Sequence, residues 1–214
     1  MEEYLVELRT VIWRTAGARY NAARRLKRKE LFSTISLTFF SVISICLAVV
    51  QKVYAPAITK STGLDDYITT LSILSGIFLL AISLMEWGAR NGSNADALYK
   101  NAEDLNSLQR KIKQELFKVG SGSVTWERCG AISAEYDAVQ SRCDINHDPI
   151  DDQRFIADYR SAPEFVHKNI SSKRALRIRI LWFFSSVWYY LIFWLISLFA
   201  LLPVFSRIEF MTPA

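Results

Sequence analysis

Three stretches of this chain contain no Asp, Glu, Lys or Arg: Leu31 to Val50, Tyr67 to Met85 and Ile180 to Ser206. A hydrocarbon layer about 30 Å thick is crossed by roughly 20 apolar residues at 1.5 Å each, so every stretch can span a bilayer as a helix. A buried core helix is also apolar on all sides, but three of them need a core larger than a chain of 214 residues can surround. The overall hydrophobic content, 51%, is near the soluble average and hides this segregation. The windows therefore predict an all-α integral membrane protein with three transmembrane helices. About 30 polar residues precede the first window and no small-residue cleavage site follows it, so it is expected to be retained and not cleaved as a signal peptide.

Basic residues set the expected orientation, because they are retained on the cytoplasmic side. Residues 1–30 carry eight (Arg9, Arg14, Arg19, Arg24, Arg25, Lys27, Arg28, Lys29), against Lys52 and Lys60 in the loop 51–66. Residues 86–179 carry fifteen more, of which Lys173, Arg174, Arg177 and Arg179 adjoin the third window, and Arg207 stands alone beyond it. The expected layout is a basic cytosolic N-terminal helix over 1–30 and a transmembrane hairpin over 31–87, with spans at about 31–50 and 67–86. A cytosolic helical region over 88–179, a third span over 180–206 and an external tail over 207–214 follow. Cys46 falls in a span, and Cys129 and Cys143 fall where disulfides rarely persist, so all three are expected to be free thiols.

The N-terminal segment reads as a helix, with Leu5, Leu8, Ile12, Ala16, Ala22 and Leu26 near one side, that runs directly into the first span. Its Arg24, Arg25, Lys27 and Arg28, together with Lys173, Arg174 and Arg177, are expected at anionic lipid head groups, membrane lipid being the nearest partner available to such clusters. A gating or nucleic-acid-binding arm is the sharper alternative, and direct nucleic-acid binding stays open. In the loop between the first two spans Pro56 and Gly63 break helix, and Asp65 and Asp66 are candidate caps for the second span.

Both spans of the hairpin carry a weakly polar stripe. Thr34, Thr38, Ser41, Ser44 and Ala48 fall within about 120° of arc on the first. Thr69, Ser72, Gly76 and Ser83 fall within about 60° on the second. Such stripes allow close helix packing, Ser72 to Gly76 being a small-xxx-small spacing, or they line a narrow water path. The two coincide if hairpins assemble around an axis as a homo-oligomer. Glu86 and Arg90 mark the inner mouth, where they meet head groups or form a selectivity ring. The absence of Asp, Glu, Lys, Arg and His from the spans disfavours an ion-coupled carrier.

Beyond the hairpin, Leu98, Ala102, Leu105, Leu108, Ile112 and Leu116 recur at three- and four-residue spacing, which predicts an amphipathic helix from Asp96 to Lys118. Cys129, Ile132, Tyr136, Val139 and Cys143 form a second stripe between Thr125 and Arg142. Joined across Gly120 to Ser123, they predict an antiparallel cytosolic helical hairpin packed on the N-terminal helix or on another subunit. His147, Asp148, Asp151 and Asp152 in INHDPIDDQRF could be read as a metal or acid–base cluster; a loop followed by a capped helix accounts for them better. His167 is isolated. The third span, crowded with Trp182, Phe183, Phe184, Trp188, Tyr189, Tyr190, Phe193, Trp194 and Phe199, reads as a packing or lipid-facing element and not as a pore lining. No phosphate loop, nucleophile–base pair or metal constellation is present, so neither an enzyme nor a cofactor is expected.

The run TAGARYNAARRLKRK at 15–29, its direct entry into a span, the stretch DALYKNAEDLNSLQRKI and the later NHDPID together resemble the SLATT family over residues 10–160. These are two-transmembrane effector domains of bacterial conflict systems, associated with nucleotide-signal synthases or sensor domains. The third span departs from the two-helix pattern and resembles a branch with an extra C-terminal helix encoded beside reverse transcriptases. The resemblance implies a pore-forming effector of antiviral defence in the bacterial inner membrane. It would be triggered by a cytosolic partner protein, a reverse transcriptase among the candidates, or by that partner's nucleic-acid or nucleotide product. The alternative is a non-conducting anchor or scaffold that recruits such an enzyme.

Overall fold

The computed structural model describes residues 1–58, 63–119 and 125–209. Secondary structure among them is helical throughout: α1 (Glu2–Val53), the short α2 (Ala55–Ile58), α3 (Leu64–Ala89), α4 (Asn91–Val119), α5 (Trp126–Ser141), α6 (Pro149–Asp158), a 3₁₀ turn (Val166–Lys168), α7 (Ser172–Phe184) and α8 (Trp188–Glu209). The chain divides into two compact units, Met1–Arg28 with Asn91–Ser186, and Lys29–Arg90 with Val187–Ala214. α1 contributes to both.

In the first unit the N-terminal part of α1 packs against α4 and α5. Leu5, Ile12 and Ala16 meet Leu105, Leu108 and Ile112 of α4 and Cys129, Ile132 and Val139 of α5 in one buried cluster. Each fully buried Leu or Ile contributes about 1.5–3 kcal/mol. Cross-pairs fix the direction: Asp104 with Arg142, Lys111 with Glu135 and Glu115 with Arg128 run in opposite senses along α4 and α5. The predicted antiparallel hairpin on the N-terminal helix is therefore present, with Thr125 capping α5 by accepting from the Arg128 N–H. The expected Gly120–Ser123 connection lies outside the described residues. A second cluster sets Phe155, Ile156 and Phe165 against Trp13, whose ring centroid is 5.3 Å from that of Phe155.

In the second unit α1, α3 and α8 form a three-span bundle. Ile43 and Leu47 of α1 pack with Leu64 and Ile68 of α3 and Val204 of α8. The Gln51 amide donates to Asp65 Oδ1 at 2.6 Å and to Thr69 Oγ1 at 3.0 Å, tying the C-terminal end of α1 to the N-terminal end of α3. α3 begins one residue before the two aspartates, at Leu64. Gly63 precedes it at φ 79°, a left-handed backbone that glycine adopts without strain, and no side chain caps the helix. Within the most apolar 18-residue window of each long helix only 28%, 17% and 11% is buried inside the protein, and by length and composition all three helices are suited to cross a membrane.

The third apolar window does not form one helix from Ile180. It is divided between α7, ending at Phe184, and α8, starting at Trp188, so the candidate span is Trp188–Ser206. Two adjacent hydroxyls end α7 by taking its last carbonyls: Ser185 Oγ donates to Trp182 O and Ser186 Oγ to Phe183 O, each at 2.8 Å. Trp182, which looked membrane-bound in sequence, is buried in the first unit.

Gly17 sits on α1 beneath the Phe155 ring, where an added Cβ would lie 2.1 Å from two ring carbons. Gly17→Ala should therefore displace that ring and lower stability by about 1–3 kcal/mol. Gly88→Ala, whose Cβ would meet nothing within 4 Å, should cost nothing. Thermal unfolding of both variants in detergent checks this; equal midpoints would contradict the packing.

Candidate functional site

Two constellations carry polar groups into otherwise apolar surroundings, one in each unit. In the first, Asp148 is the N-cap residue of α6, Pro149 lies in its first turn, and the Asp148 N–H donates to Asp151 Oδ2 at 3.1 Å. The expected loop and capped helix are thus present, but Asp151 is more than a cap. Its carboxylate is wholly buried. Oδ1 accepts from Arg25 Nε at 3.0 Å and Trp182 Nε1 at 2.8 Å, and Oδ2 accepts from Arg25 Nη2 at 2.9 Å. The Asp151 carbonyl accepts from the Asn21 amide at 3.1 Å. One residue thereby joins α1, α6 and α7.

Arg25 was expected at lipid head groups. Instead it is buried, with a second ion pair to Asp148 at 2.5 Å. Burial opposes its charge, but the bonds to Asp151 and the two carboxylate charges prevail and hold its pKa above the usual arginine value. The Trp182 ring is flanked by two guanidiniums, Arg28 at 4.2 Å and Arg154 at 3.9 Å. Burial first, and then the Arg154 charge, push the Arg28 pKa down. Of the other residues expected at head groups, Arg24, Lys27, Lys173, Arg174 and Arg177 are exposed, and Lys27 lies 3.4 Å from Asp96. Arg14 makes a bidentate pair with Asp152 at 2.6 Å on each arm.

His147 lies half-buried beside this cluster, and burial pushes its pKa below the usual value against the opposing charges of Asp152 and Asp151. No group of three His, Cys, Asp or Glu residues suited to a metal ion occurs among the described residues. All three cysteines are free.

The second constellation is the hydroxyl stripe. Thr34, Thr38, Thr69 and Ser83 are exposed, and Ser41, Ser44, Ser72 and Gly76 are half-buried. Most of these hydroxyls are already satisfied by the carbonyl four residues back: Thr34 to Glu30, Thr38 to Thr34, Ser41 to Leu37, Ser44 to Phe40 and Ser72 to Ile68, at 2.8–3.0 Å. An added Cβ at Gly76 would meet nothing within 4 Å, so the small spacing at Ser72 and Gly76 is not used for packing within the chain.

The serines used inside the bundle are others, Ser33, Ser36 and Ser75, all buried. Ser36 accepts from Trp194 Nε1 at 2.9 Å. They fall on the same helical faces as Phe40, Ile43, Ile68 and Ile82, a spacing open to sequence reading but masked by the richer stripe beside it. α8 contacts α1 through Phe32, Ser36 and Phe39, and α3 through Tyr67 and Phe78. In each helix the stripe is rotated by about 100° from the buried face, in the same sense. Because α1 and α3 are antiparallel, both stripes fall on one face of the hairpin, opposite α8. At its end Glu86 is half-buried, and Arg90 is exposed in a left-handed conformation at φ 50°.

These features define a multi-pass membrane protein in which a hydroxyl-striped hairpin, covered on one face by an aromatic third helix, is joined to a helical unit organised around a buried ion pair. The chain belongs to the SMODS and SLOG-associating 2TM effector domain family 5, which it matches over residues 1–204. It is accordingly a membrane effector domain of SMODS and SLOG conflict systems. The match extends through most of α8, so the third span is part of the matched domain. No curated protein and no solved structure matches the chain significantly.

Replacing Asp151 with Leu should leave the Arg25 guanidinium buried without its main counter-charge and destabilise the first unit by about 3–5 kcal/mol. Adding Arg25→Met to Asp151→Leu should recover most of that loss; thermal unfolding in which single and double variants lose equally would refute the pairing. For His147, a depressed folded-state pKa means that the unfolded chain binds the proton more readily. Stability should be level above the usual histidine pKa of about 6.5 and fall as pH drops below it. Subtracting the profile of His147→Gln from that of the wild type isolates this contribution, which vanishes if the ring is not desolvated.

Proposed function

We propose that the protein is a triggered pore-forming effector: copies assemble in the bacterial inner membrane through the uncovered hairpin face, and the stripe hydroxyls line or border the conducting path. The observation that carries this is the position of the stripe. It lies on the face that α8 leaves open, with most of its hydroxyls internally bonded and Gly76 clear of every neighbour. Small residues on an uncovered span face allow a second backbone to approach closely, and weakly polar walls alternating with apolar rings can gate water. Arg24, Lys27, Lys173, Arg174 and Arg177 support an orientation with the N-terminus and the first unit in the cytoplasm and the C-terminus outside. The first unit then receives the signal from a cytosolic partner, for which a reverse transcriptase or its nucleic-acid or nucleotide product is one source.

A second reading, a non-conducting anchor that recruits a cytosolic enzyme, is favoured by Phe117 and Trp126, 80% and 64% exposed at the same end of the α4–α5 hairpin. Membrane potential separates the two. Expression with the trigger should depolarise the membrane. Gly76→Leu or Ser41→Leu should abolish depolarisation and toxicity while leaving membrane insertion intact. Full toxicity with an intact potential would exclude the pore and leave the anchor.

A further inference from the structure

The first unit contains an open cavity of about 390 Å³ bounded by α6, the 3₁₀ turn and α7. Its polar wall is basic. Lys168, at the end of the 3₁₀ turn, and Arg174 and Arg177, one turn apart on α7, face it, and none of the three has a carboxylate partner among the described residues. Arg14 also lines it, but that charge is cancelled by the bidentate pair with Asp152, so the cavity keeps three uncompensated positive charges. The floor is apolar, formed by Ile156, Ile170 and Ile178. Local structure fixes the arrangement. Asn169 turns the chain at φ 49°, and the Ser171 hydroxyl caps α7 by accepting from the Arg174 N–H at 3.3 Å.

Three cations around an apolar floor suit a phosphate carried on a molecule with an apolar part. Uncompensated cations gathered at one cavity repel one another, and a bound phosphate converts that repulsion into attraction. The same helix exposes Leu176, Ile180, Leu181, Phe183 and Phe184 beyond its basic start, the distribution of a helix lying at a membrane surface. Six residues of chain separate Leu181 from Trp188, where the third candidate span begins.

We propose that this cavity is a binding site for a phosphate group, as carried by the head group of an anionic phospholipid or by free phosphate in solution. The distribution along α7 favours the lipid. Because the ligand is read by binding, the proposal stands or falls independently of conduction.

The full chain, purified in neutral detergent, is titrated with phosphatidylglycerol, phosphatidylcholine and inorganic phosphate, and bound ligand is counted by native mass spectrometry. Retention of phosphatidylglycerol over phosphatidylcholine is expected. It should weaken on the order of tenfold in Arg174→Gln/Arg177→Gln and stay unchanged in Lys100→Gln/Lys113→Gln, which removes two charges elsewhere on the same unit. Inorganic phosphate that binds with the same arginine dependence, and without lipid preference, also supports the site and assigns its ligand to solution. Binding of both ligands that is indifferent to Arg174 and Arg177, or no preference for phosphatidylglycerol and no phosphate binding, overturns the proposal. Should the double variant fail to fold, Lys168→Gln, which lies outside α7, carries the same comparison.

Discussion

The ion pair of Arg25 and Asp151 is the contact on which the first unit depends. A carboxylate with no exposed surface would be untenable alone, since the desolvation of such a charge costs several kcal/mol. Here four donors satisfy it: two from Arg25, the Trp182 indole and the Asp148 backbone N–H. Because these donors come from three helices, α1, α6 and α7 cannot separate without exposing an unpaired buried charge. An apolar core would have held the helices as strongly, but it tolerates sliding and rotation. A carboxylate with four fixed partners admits one register.

The membrane unit solves a different problem. Between spans in lipid, burial of an apolar side chain gains little from water, so contact quality and hydrogen bonds decide which faces meet. α8 supplies both: Phe32 stacks on Trp194 with centroids 5.6 Å apart, and Trp194, Tyr190 and Tyr67 each reach a polar atom of a neighbouring helix. Most of the hydroxyls on the other face are turned inward on carbonyls of their own helix. That satisfies them in hydrocarbon without a partner and leaves a surface that neither demands nor forbids a neighbour. Such neutrality suits a face that changes its surroundings.

How much of this was legible in the sequence follows from the range of each interaction. The spans were legible because absence of charge is a property of consecutive residues, and α4 and α5 because Leu98 to Leu116 and Cys129 to Cys143 repeat at helical spacing. The hydroxyl stripe was legible as a stripe, but sequence periodicity does not say which face of a helix meets its neighbours. Ser33, Ser36 and Ser75 were accordingly overlooked. Arg25 was illegible for a plainer reason: its partner lies 126 positions away, and among eight basic residues in the first thirty nothing local distinguishes the two that are buried, Arg19 and Arg25. INHDPID showed its cap but not its burial, since a capping carboxylate on the surface has the same sequence.

The division of the third apolar window makes the same point from the opposite side. By hydropathy alone, Ile180 to Ser206 is one span, and its first residues are as apolar as its last. Trp182 nevertheless belongs to the first unit, because its indole N–H has a buried carboxylate to satisfy and its ring lies between two guanidiniums. Leaving an indole N–H unpaired in hydrocarbon costs more than the ring gains there, whereas Asp151 offers a bond to a charge. Ser185 and Ser186 then release the backbone from α7. The lower boundary of the membrane span is thus set by the chemistry of one tryptophan and two serines, and not by where the apolar residues begin.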